Sequence, residues 1–278
     1  MPLSRLTAWL LLAPTLLLLV LVFLVPIGWF IGGSLAELGT LSEIWEEADA
    51  VLFSGAVGGA ILNTNWIAAL VTLLVLLIGY PMSYALSRAK GLVFTAILLC
   101  IVLPYFTSTI VRTYAWMVLL GRNGLINQIL LGIGLINEPL QLMYNRTGVI
   151  IGMTYVLLPY MVLTLYAAMK AVDQRLLQAA EGMGASPATV FLKVFMPLTL
   201  HGVIAGVLIT FILALGFFVT PALMGGPGDI MIAMLIEREV ELTYNWPTAA
   251  LMTIVLLTVT LILYAFYARI SDQGEARR

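Results

Sequence analysis

Apolar residues run through this chain in blocks far longer than the alternation of a half-buried strand or the stripe of a surface helix allows. A helix crosses the hydrocarbon core of a bilayer with about 20 mostly apolar residues. Six blocks reach that length: 7–31, 66–87, 92–120, 148–169, 200–220 and 247–267. Pro14 and Pro26 mark kink positions in the first, and Pro104 with the polar patch 107–109 interrupts the third. The pattern predicts an all-α polytopic membrane protein of six transmembrane helices, with one transmembrane domain covering 1–278. The first block follows Arg5 as the core of a signal peptide follows its basic end. It is too long for that, and no small-x-small cleavage site follows closely, so it reads as a retained span.

Lysine and arginine set the orientation. With the N-terminus in the cytoplasm, the inner side holds Arg5, Arg88, Lys90, Lys170, Arg175, Lys193, Arg269, Arg277 and Arg278. The outer side holds Arg122, Arg146 and Arg238, and Arg112 falls within the third block. The bias puts both termini inside. Three outer segments are long enough to fold. The first, 32–65, is acidic and then glycine-rich. The second, 121–145, opens on the turn Arg122-Asn123-Gly124. The third, 224–246, carries Gly225-Gly226-Pro227-Gly228 and then a short amphipathic helix, with Ile232, Leu235, Ile236 and Val240 opposite Glu237, Arg238 and Glu241. The outer acids, Asp229 among them, read as loop solubility or as an attraction for a basic partner or cation.

Composition agrees with the pattern. The chain is 62% hydrophobic and 10% charged, against about 25% charged residues in a soluble domain. Its net charge of −1 gives no reason to expect nucleic acid. One cysteine, Cys100, and one histidine, His201, allow neither an internal disulfide nor a multi-histidine metal site within one chain.

The polar stretch 171–198, AVDQRLLQAAEGMGASPATVFLKVFMPL, stands out between apolar blocks. Leu176, Leu177, Ala180 and Met183 recur at helical spacing, and Gly184 follows where a left-handed turn ends a helix. Ser186 then Pro187 is an N-cap followed by proline at the first helical position. A second short helix, 188–195, is expected to stop at Pro197. The small residues Ala179, Ala180, Gly182, Gly184 and Ala185 let another backbone come close. Two readings stay open on these residues alone: a projection that docks a soluble motor, or an inner loop that packs on its own bundle.

QAAEGMGASPATVFLKVFMP resembles the EAA loop of bacterial ABC importer permeases, whose pattern is Glu-Ala-Ala, three residues, Gly, nine residues, Ile-x-Leu-Pro. Ala179, Ala180, Gly184 and Pro197 fall at the family spacing, while Gln178, Val194 and Met196 stand in place of Glu, Ile and Leu. Gln178 removes the charge the family usually carries there; Glu181 lies about one turn on. VRTYAWMVLLGRNGLIN (111–127), GFFVTPALMGGP (216–227) and Asn245-Trp246-Pro247 are similar to the first permease subunit of the spermidine/putrescine importers. The resemblance runs from about Asn63 through the sixth block. It implies the type I importer permease fold in the bacterial cytoplasmic membrane. It also implies partners: a second permease subunit that is a different chain, two copies of a cytoplasmic ABC ATPase, and an extracytoplasmic solute-binding protein. Gln178, Ala179, Ala180, Glu181, Gly184, Ala185, Ser186, Pro187 and Pro197 would form the ATPase-coupling loop.

The chain has no Gly-x-x-x-x-Gly-Lys-Ser/Thr, since Lys90, Lys170 and Lys193 are followed by Gly, Ala and Val. It therefore carries no phosphate-binding loop of its own, and no cofactor is expected in this chain; ATP and Mg²⁺ would be bound by the partner ATPase. No catalytic residues are expected, and no paired intramembrane carboxylates suit a proton relay, which argues against a stand-alone secondary transporter, a channel or a membrane enzyme. Polar groups inside spans are costly and tend to face a pathway. The candidates are Thr109, Arg112, Thr113 and Tyr114 on the third block, Tyr155 and Tyr160 on the fourth, and Phe217, Phe218 and Thr220 on the fifth. Arg112 reads as a gate or substrate contact, or as a residue that snorkels outward or pairs with an outer acid. The aromatics suit an amine by cation–π attraction, or simply pack the helices. Relatives often carry an acid where Phe217 stands, so a polyamine would draw countercharge from the second permease. Opines, amino-acid-like compounds and other small organic solutes are the alternative cargo.

Overall fold

The computed structural model describes residues 5–275, with side chains placed at Trp9 and from Leu11 to Ala265. Arg5, Arg269, Arg277 and Arg278, all counted on the inner side above, fall outside those described side chains. In chain order the helices are α1 (Arg5–Leu19), α2 (Val25–Ala36), α3 (Leu41–Leu52), α4 (Gly55–Arg88), α5 (Gly91–Val102), α6 (Thr109–Leu120), α7 (Leu125–Gly132), α8 (Arg146–Lys170), α9 (Gln174–Gly182), α10 (Pro187–Val190), α11 (Met196–Leu215), α12 (Val219–Met224), α13 (Ile232–Glu241) and α14 (Trp246–Glu275). π turns at Val20–Leu24 and Phe191–Phe195 join α1 to α2 and α10 to α11, and a 3₁₀ turn, Leu103–Phe106, follows α5. Among the described residues, five helical runs are long and apolar enough to cross a membrane: Leu11–Ala36, Gly55–Arg88, Arg146–Lys170, Pro187–Leu215 and Trp246–Ala265. A sixth, Gly91–Phe106 with Thr109–Gly132, is bent by 107°.

Three blocks differ from the sequence expectation. The third is broken rather than continuous. Pro104 takes the chain into a 3₁₀ turn, and Thr107 is extended, with its amide and hydroxyl both donating to Pro104 O at 3.1 and 2.7 Å. Hydropathy averaged over the stretch hides this break. The second begins at Gly55, so the glycines at 55–59 start a helix rather than end a loop. The fifth begins at Pro187 and ends at Leu215, so Pro197 does not stop the hairpin's second helix. Proline within an α-helix loses the bond to residue i−4 and clashes with that carbonyl. Pro197 directly follows a π turn in which Met196 N–H reaches back to Phe191 O, and this widened turn takes up the misfit. Pro26 follows the other π turn, where Val25 N–H bonds Val20 O, in the same way.

The chain divides into two compact units. The larger holds 59–234 and the chain from Thr258 onward. Its core is α8, which buries Met153, Val156, Leu157, Met161, Val162 and Leu165. α11 lies closest to it because Gly202 and Gly206 face α8: a Cβ at Gly202 would overlap Ala168 Cβ, and one at Gly206 would sit 2.7 Å from Met161 Sδ. α4 approaches α8 through Gly79 and through the buried Ser83 hydroxyl, which donates to Gly79 O (2.7 Å) and Val162 O (3.1 Å).

One end of this unit is held by a polar latch. Arg146 Nε meets Asp229 Oδ1 at 3.0 Å, and Arg146 Nη2 donates to Asn63 Oδ1 at 3.1 Å. Asn63 Nδ2 donates to Gly228 O at 2.8 Å, and Asp229 Oδ2 accepts Gly226 N–H at 3.1 Å. Thr64 Oγ1 accepts Ile232 N–H at 2.8 Å. The Gly225–Asp229 loop is thereby pinned to α4 and the start of α8. Asp229 is 6% exposed, so it is a structural ion-pair partner, neither a solubilising loop acid nor bait for a basic partner. Asn127, wholly buried, ties the 121–140 segment by donating to Gly121 O and Leu140 O and accepting Leu140 N–H at 2.9 Å.

The smaller unit holds the chain up to Gly58 and Leu235–Leu257. α3 opens on a capping box: Thr40 N–H donates to Glu43 Oε2 at 2.6 Å and the Thr40 hydroxyl donates at 2.8 Å. The backbone bond first, then the hydroxyl, holds the Glu43 carboxyl below its ordinary value of 4.5. Ala48 and Val51 are buried, and Glu47 Oε1 accepts the Thr248 hydroxyl at 3.1 Å, tying α3 to the start of α14.

Two outcomes follow for stability. Gly202→Val forces atoms against the Ala168 backbone of α8 and lowers the thermal midpoint of the detergent-solubilised protein, a cost of about 1–3 kcal/mol. Gly59→Ala, on an open part of α4 where an added Cβ meets nothing within 4 Å, leaves it unchanged or raises it slightly. Equal effects of the two would refute the close α8–α11 approach. In the latch, Arg146→Ala and Asp229→Asn each destabilise, and the double variant falls short of their sum by at least about 0.5 kcal/mol. Additive losses would show the pair is uncoupled.

Candidate functional site

The hairpin forms as its spacing predicts. Asp173 caps α9, its Oδ1 accepting Arg175 N–H at 2.9 Å. α9 ends in a Schellman arrangement: Gly184 has φ +85°, its N–H bonds Glu181 O at 2.9 Å, and Ala185 N–H bonds Ala180 O at 3.2 Å. Glycine is needed there because a left-handed φ strains any residue with a Cβ. Ser186 caps α10, accepting Thr189 N–H at 3.3 Å, with Pro187 first in the helix. The turn is fixed at both ends by hydrogen bonds, which makes it a short rigid projection.

Its faces divide cleanly. Leu177, Ala180 and Val190 are buried against the hairpin's own base. Gln178, Ala179, Glu181 and Gly184 are exposed. Met183 is 83% and Leu176 49% exposed, an apolar tip with neither water's preference nor a covering element. Ala185 is half-buried and Pro197 lies exposed on the continuous helix below.

The hairpin's base is an aromatic joint that periodicity alone did not single out. Phe191 stacks with Phe195 (5.8 Å), and Tyr84 of α4 meets both edge-on at 5.2 and 5.3 Å. Tyr80 meets Phe191 at 6.3 Å and its hydroxyl pairs with Thr199 Oγ1 at 3.0 Å. Arg88 Cζ sits 5.3 Å from the Tyr84 ring centroid. The signal was present as two aromatic pairs at i, i+4, Tyr80/Tyr84 and Phe191/Phe195. Each pair lies on one helix face, but nothing in the spacing says that the faces meet.

The pathway candidates fall into groups. Thr113 and Thr220 are buried with hydroxyls 3.1 Å apart; Thr113 donates to Thr109 O at 2.9 Å, which leaves its oxygen to accept from Thr220. Gly152 of α8 closes the group, since a Cβ there would meet Thr220 Cγ2 at 2.6 Å. Tyr155 meets Trp116 edge-on at 5.3 Å, and Tyr160 meets Tyr105 at 5.3 Å. Arg112 Nη2 donates to Thr109 Oγ1 at 3.1 Å. The Arg112 Nε is buried without an acceptor, and among the described residues no acid pairs with this side chain. Tyr114 is 53% exposed and is not drawn into these groups. Phe217 and Phe218 lie not on the fifth span but in the break after it, and Thr220 is on the separate helix α12. Gly216 ends the span, and the two bulky rings follow it before α12 starts. No cluster of metal-ligating side chains occurs among the described residues.

The chain is 33% identical over 217 residues to a spermidine/putrescine transport system permease protein, PotB, of Haemophilus influenzae, covering 78% of this chain and 76% of that protein. The Escherichia coli K12 protein of the same name is 34% identical over 211 residues, covering 76% and 77%. Among solved structures, a bacterial alginate ABC transporter in complex with a pentasaccharide-bound periplasmic protein contains a chain that superimposes with a TM-score of 0.72 at 17% identity, over 96% of this chain and 94% of its own; that likeness shows the fold. Residues 76–274, which hold the broken third span, the Arg146–Asp229 pair, the hairpin and its aromatic joint, match the family described as the binding-protein-dependent transport system inner membrane component. The chain therefore belongs to that family: it is an inner-membrane permease subunit of an ABC importer, not an enzyme, and permeases of this kind work with an ATPase and a solute-binding protein.

Proposed function

We propose that this chain is one of two different permease subunits in an importer of polyamines or related small amines, working as a single permease domain with both termini in the cytoplasm. The hairpin lies on the cytoplasmic side in the lysine- and arginine-rich half, and seats in a groove of one of two ATPase copies, which hold ATP and Mg²⁺. The chain itself holds no cofactor. The observation that carries the coupling role is the exposed Met183 tip on a turn locked by hydrogen bonds: a rigid apolar projection has a surface to bury and no flexibility to lose when it docks. The amine cargo is supported by the permeases of spermidine/putrescine transport systems that this chain resembles over three-quarters of its length.

ATP closes the ATPase pair, the hairpin follows its groove, and the α10–α11 run carries the displacement into the bundle, which switches between inward-open and outward-open states. Gln178, Ala179 and Glu181 line the dock, with Ala180, Ala185, Ser186, Pro187 and Pro197 setting its shape. Thr109, Arg112, Thr113, Tyr155, Tyr160, Phe217, Phe218 and Thr220 border the path, and the solute-binding protein delivers cargo at the opposite end. A second cargo reading, an opine or amino-acid-like solute, is favoured by Arg112, whose buried Nε lacks an acceptor that a solute carboxylate would supply.

Met183→Asp and Gly184→Asp test the dock. Met183→Asp leaves the turn and the bundle intact, because Met183 covers nothing; Gly184→Asp meets no neighbouring atom but strains the left-handed turn at φ +85°, so it unsettles the tip while the chain still inserts. In proteoliposomes containing the whole complex, each is expected to reduce ATP-driven uptake at least about tenfold, while ATP hydrolysis no longer responds to the loaded binding protein. Uptake at the wild-type rate in both variants would overturn the assignment. Thermal-shift screening of the partner binding protein decides the cargo: stabilisation by spermidine or putrescine supports the first reading, and stabilisation by carboxylate-bearing amines alone replaces it with the second.

A further inference from the structure

The smaller unit carries a groove that the transport reading does not use. It has a volume of 520 Å³ and runs along the end of α2 beside the start of α14, lined by Val25, Pro26, Trp29, Phe30, Glu37 and Trp246 among others. Trp29 is 82% exposed, and Phe30 meets Trp246 edge-on at 6.0 Å. Gly33 also lines the groove, with open space where a Cβ would stand. Three aromatic side chains and one carboxylate thus line the same groove.

Position determines what can enter. Leu11–Ala36 is a membrane span whose last residue precedes Glu37, and Trp246 opens the next span in this unit. Two span ends meeting here put the groove at the depth of lipid headgroups, where the carbonyl end of α2 adds the negative pole of its macrodipole. Towards the middle of the span the lining includes Val25 and Pro26, which follow the exposed apolar residues Leu21, Val22 and Leu24 in the chain. An occupant must therefore be cationic at one end and hydrocarbon at the other. Aromatic faces with a carboxylate attract an ammonium group, and the flank suits an acyl chain.

We propose that this groove is a binding site for an aminophospholipid, with the primary ammonium of a phosphatidylethanolamine headgroup among Trp29, Phe30, Trp246 and Glu37 and an acyl chain along Val25 and Pro26. The charge complementarity and the continuity with the lipid-facing flank select a lipid over a free amine. An ordinary belt of interfacial tryptophans would show no headgroup preference.

The test uses the assembled transporter in nanodiscs holding equal amounts of phosphatidylethanolamine and phosphatidylglycerol, with retained lipids counted by native mass spectrometry. The wild-type complex is expected to retain the amine lipid about fivefold over the other. Glu37→Gln and Trp29→Leu each reduce that ratio toward one. Neither residue is placed in the dock or the path, so ATP-driven uptake in a lipid lacking amine headgroups stays equal among the three proteins. Equal retention of the two lipids by the wild type, or a preference that both variants keep, overturns the proposal. Displacement of the retained lipid by millimolar putrescine would show that the groove belongs to a soluble amine instead, which also overturns it.

Discussion

The accommodation of Pro197 is the constraint on which the rest of this structure depends. A proline at that place in an unbroken α-helix would leave a carbonyl unbonded and jam its ring against the preceding turn. The π turn Phe191–Phe195 widens the turn that the ring would strike, and the hairpin's second helix and the fifth span become one run from Pro187 to Leu215. Everything that makes the hairpin useful follows from that continuity. The Schellman turn fixes the tip, the Tyr84–Phe191–Phe195 contacts fix the base against α4, and the close Gly202–Ala168 approach fixes the shaft against α8.

The opposite requirement governs the other breaks. Backbone that leaves a helix inside a bilayer must find its hydrogen bonds within the protein. The Thr107 bonds to Pro104 O and the Asn127 clip meet this requirement at points where helices end or turn, and the Thr113–Thr220 pair satisfies two buried hydroxyls beside them. The Arg146–Asp229–Asn63 latch does the same for the Gly225–Asp229 loop, joining three segments far apart in sequence. The broken helices carry buried hydroxyls and the unpartnered Arg112 Nε, whereas the intact α8 is the frame they are built on.

Much of this was legible beforehand. The hairpin could be read residue by residue because caps and left-handed turns are local events with local signatures: Gly184, Ser186 and Pro187 each sit where their chemistry demands. Long apolar runs gave α8 and α14 for the same reason, and the amphipathic α13 showed its period of 3.6. The missed features depend on distant partners. Nothing around Asp229 announces that it will be buried against Arg146, and averaging apolar character over 92–120 conceals a bend set by Pro104 and Thr107. The role of Pro197 was misjudged because the rule that proline ends helices omits the π turn that cancels it.

The most direct test of the lever is a distance. With Cys100 replaced by Ala, spin labels at Met183→Cys on the tip and Ile209→Cys, a 43% exposed position on α11, report whether hairpin and span move together in the whole complex. Pulsed electron resonance in the nucleotide-free and ATP-trapped states should give the same distance distribution in both, while labels that span the hairpin and α14 change. A tip-to-span distance that shifts between the two states would show a hinge at the π turn and contradict the account.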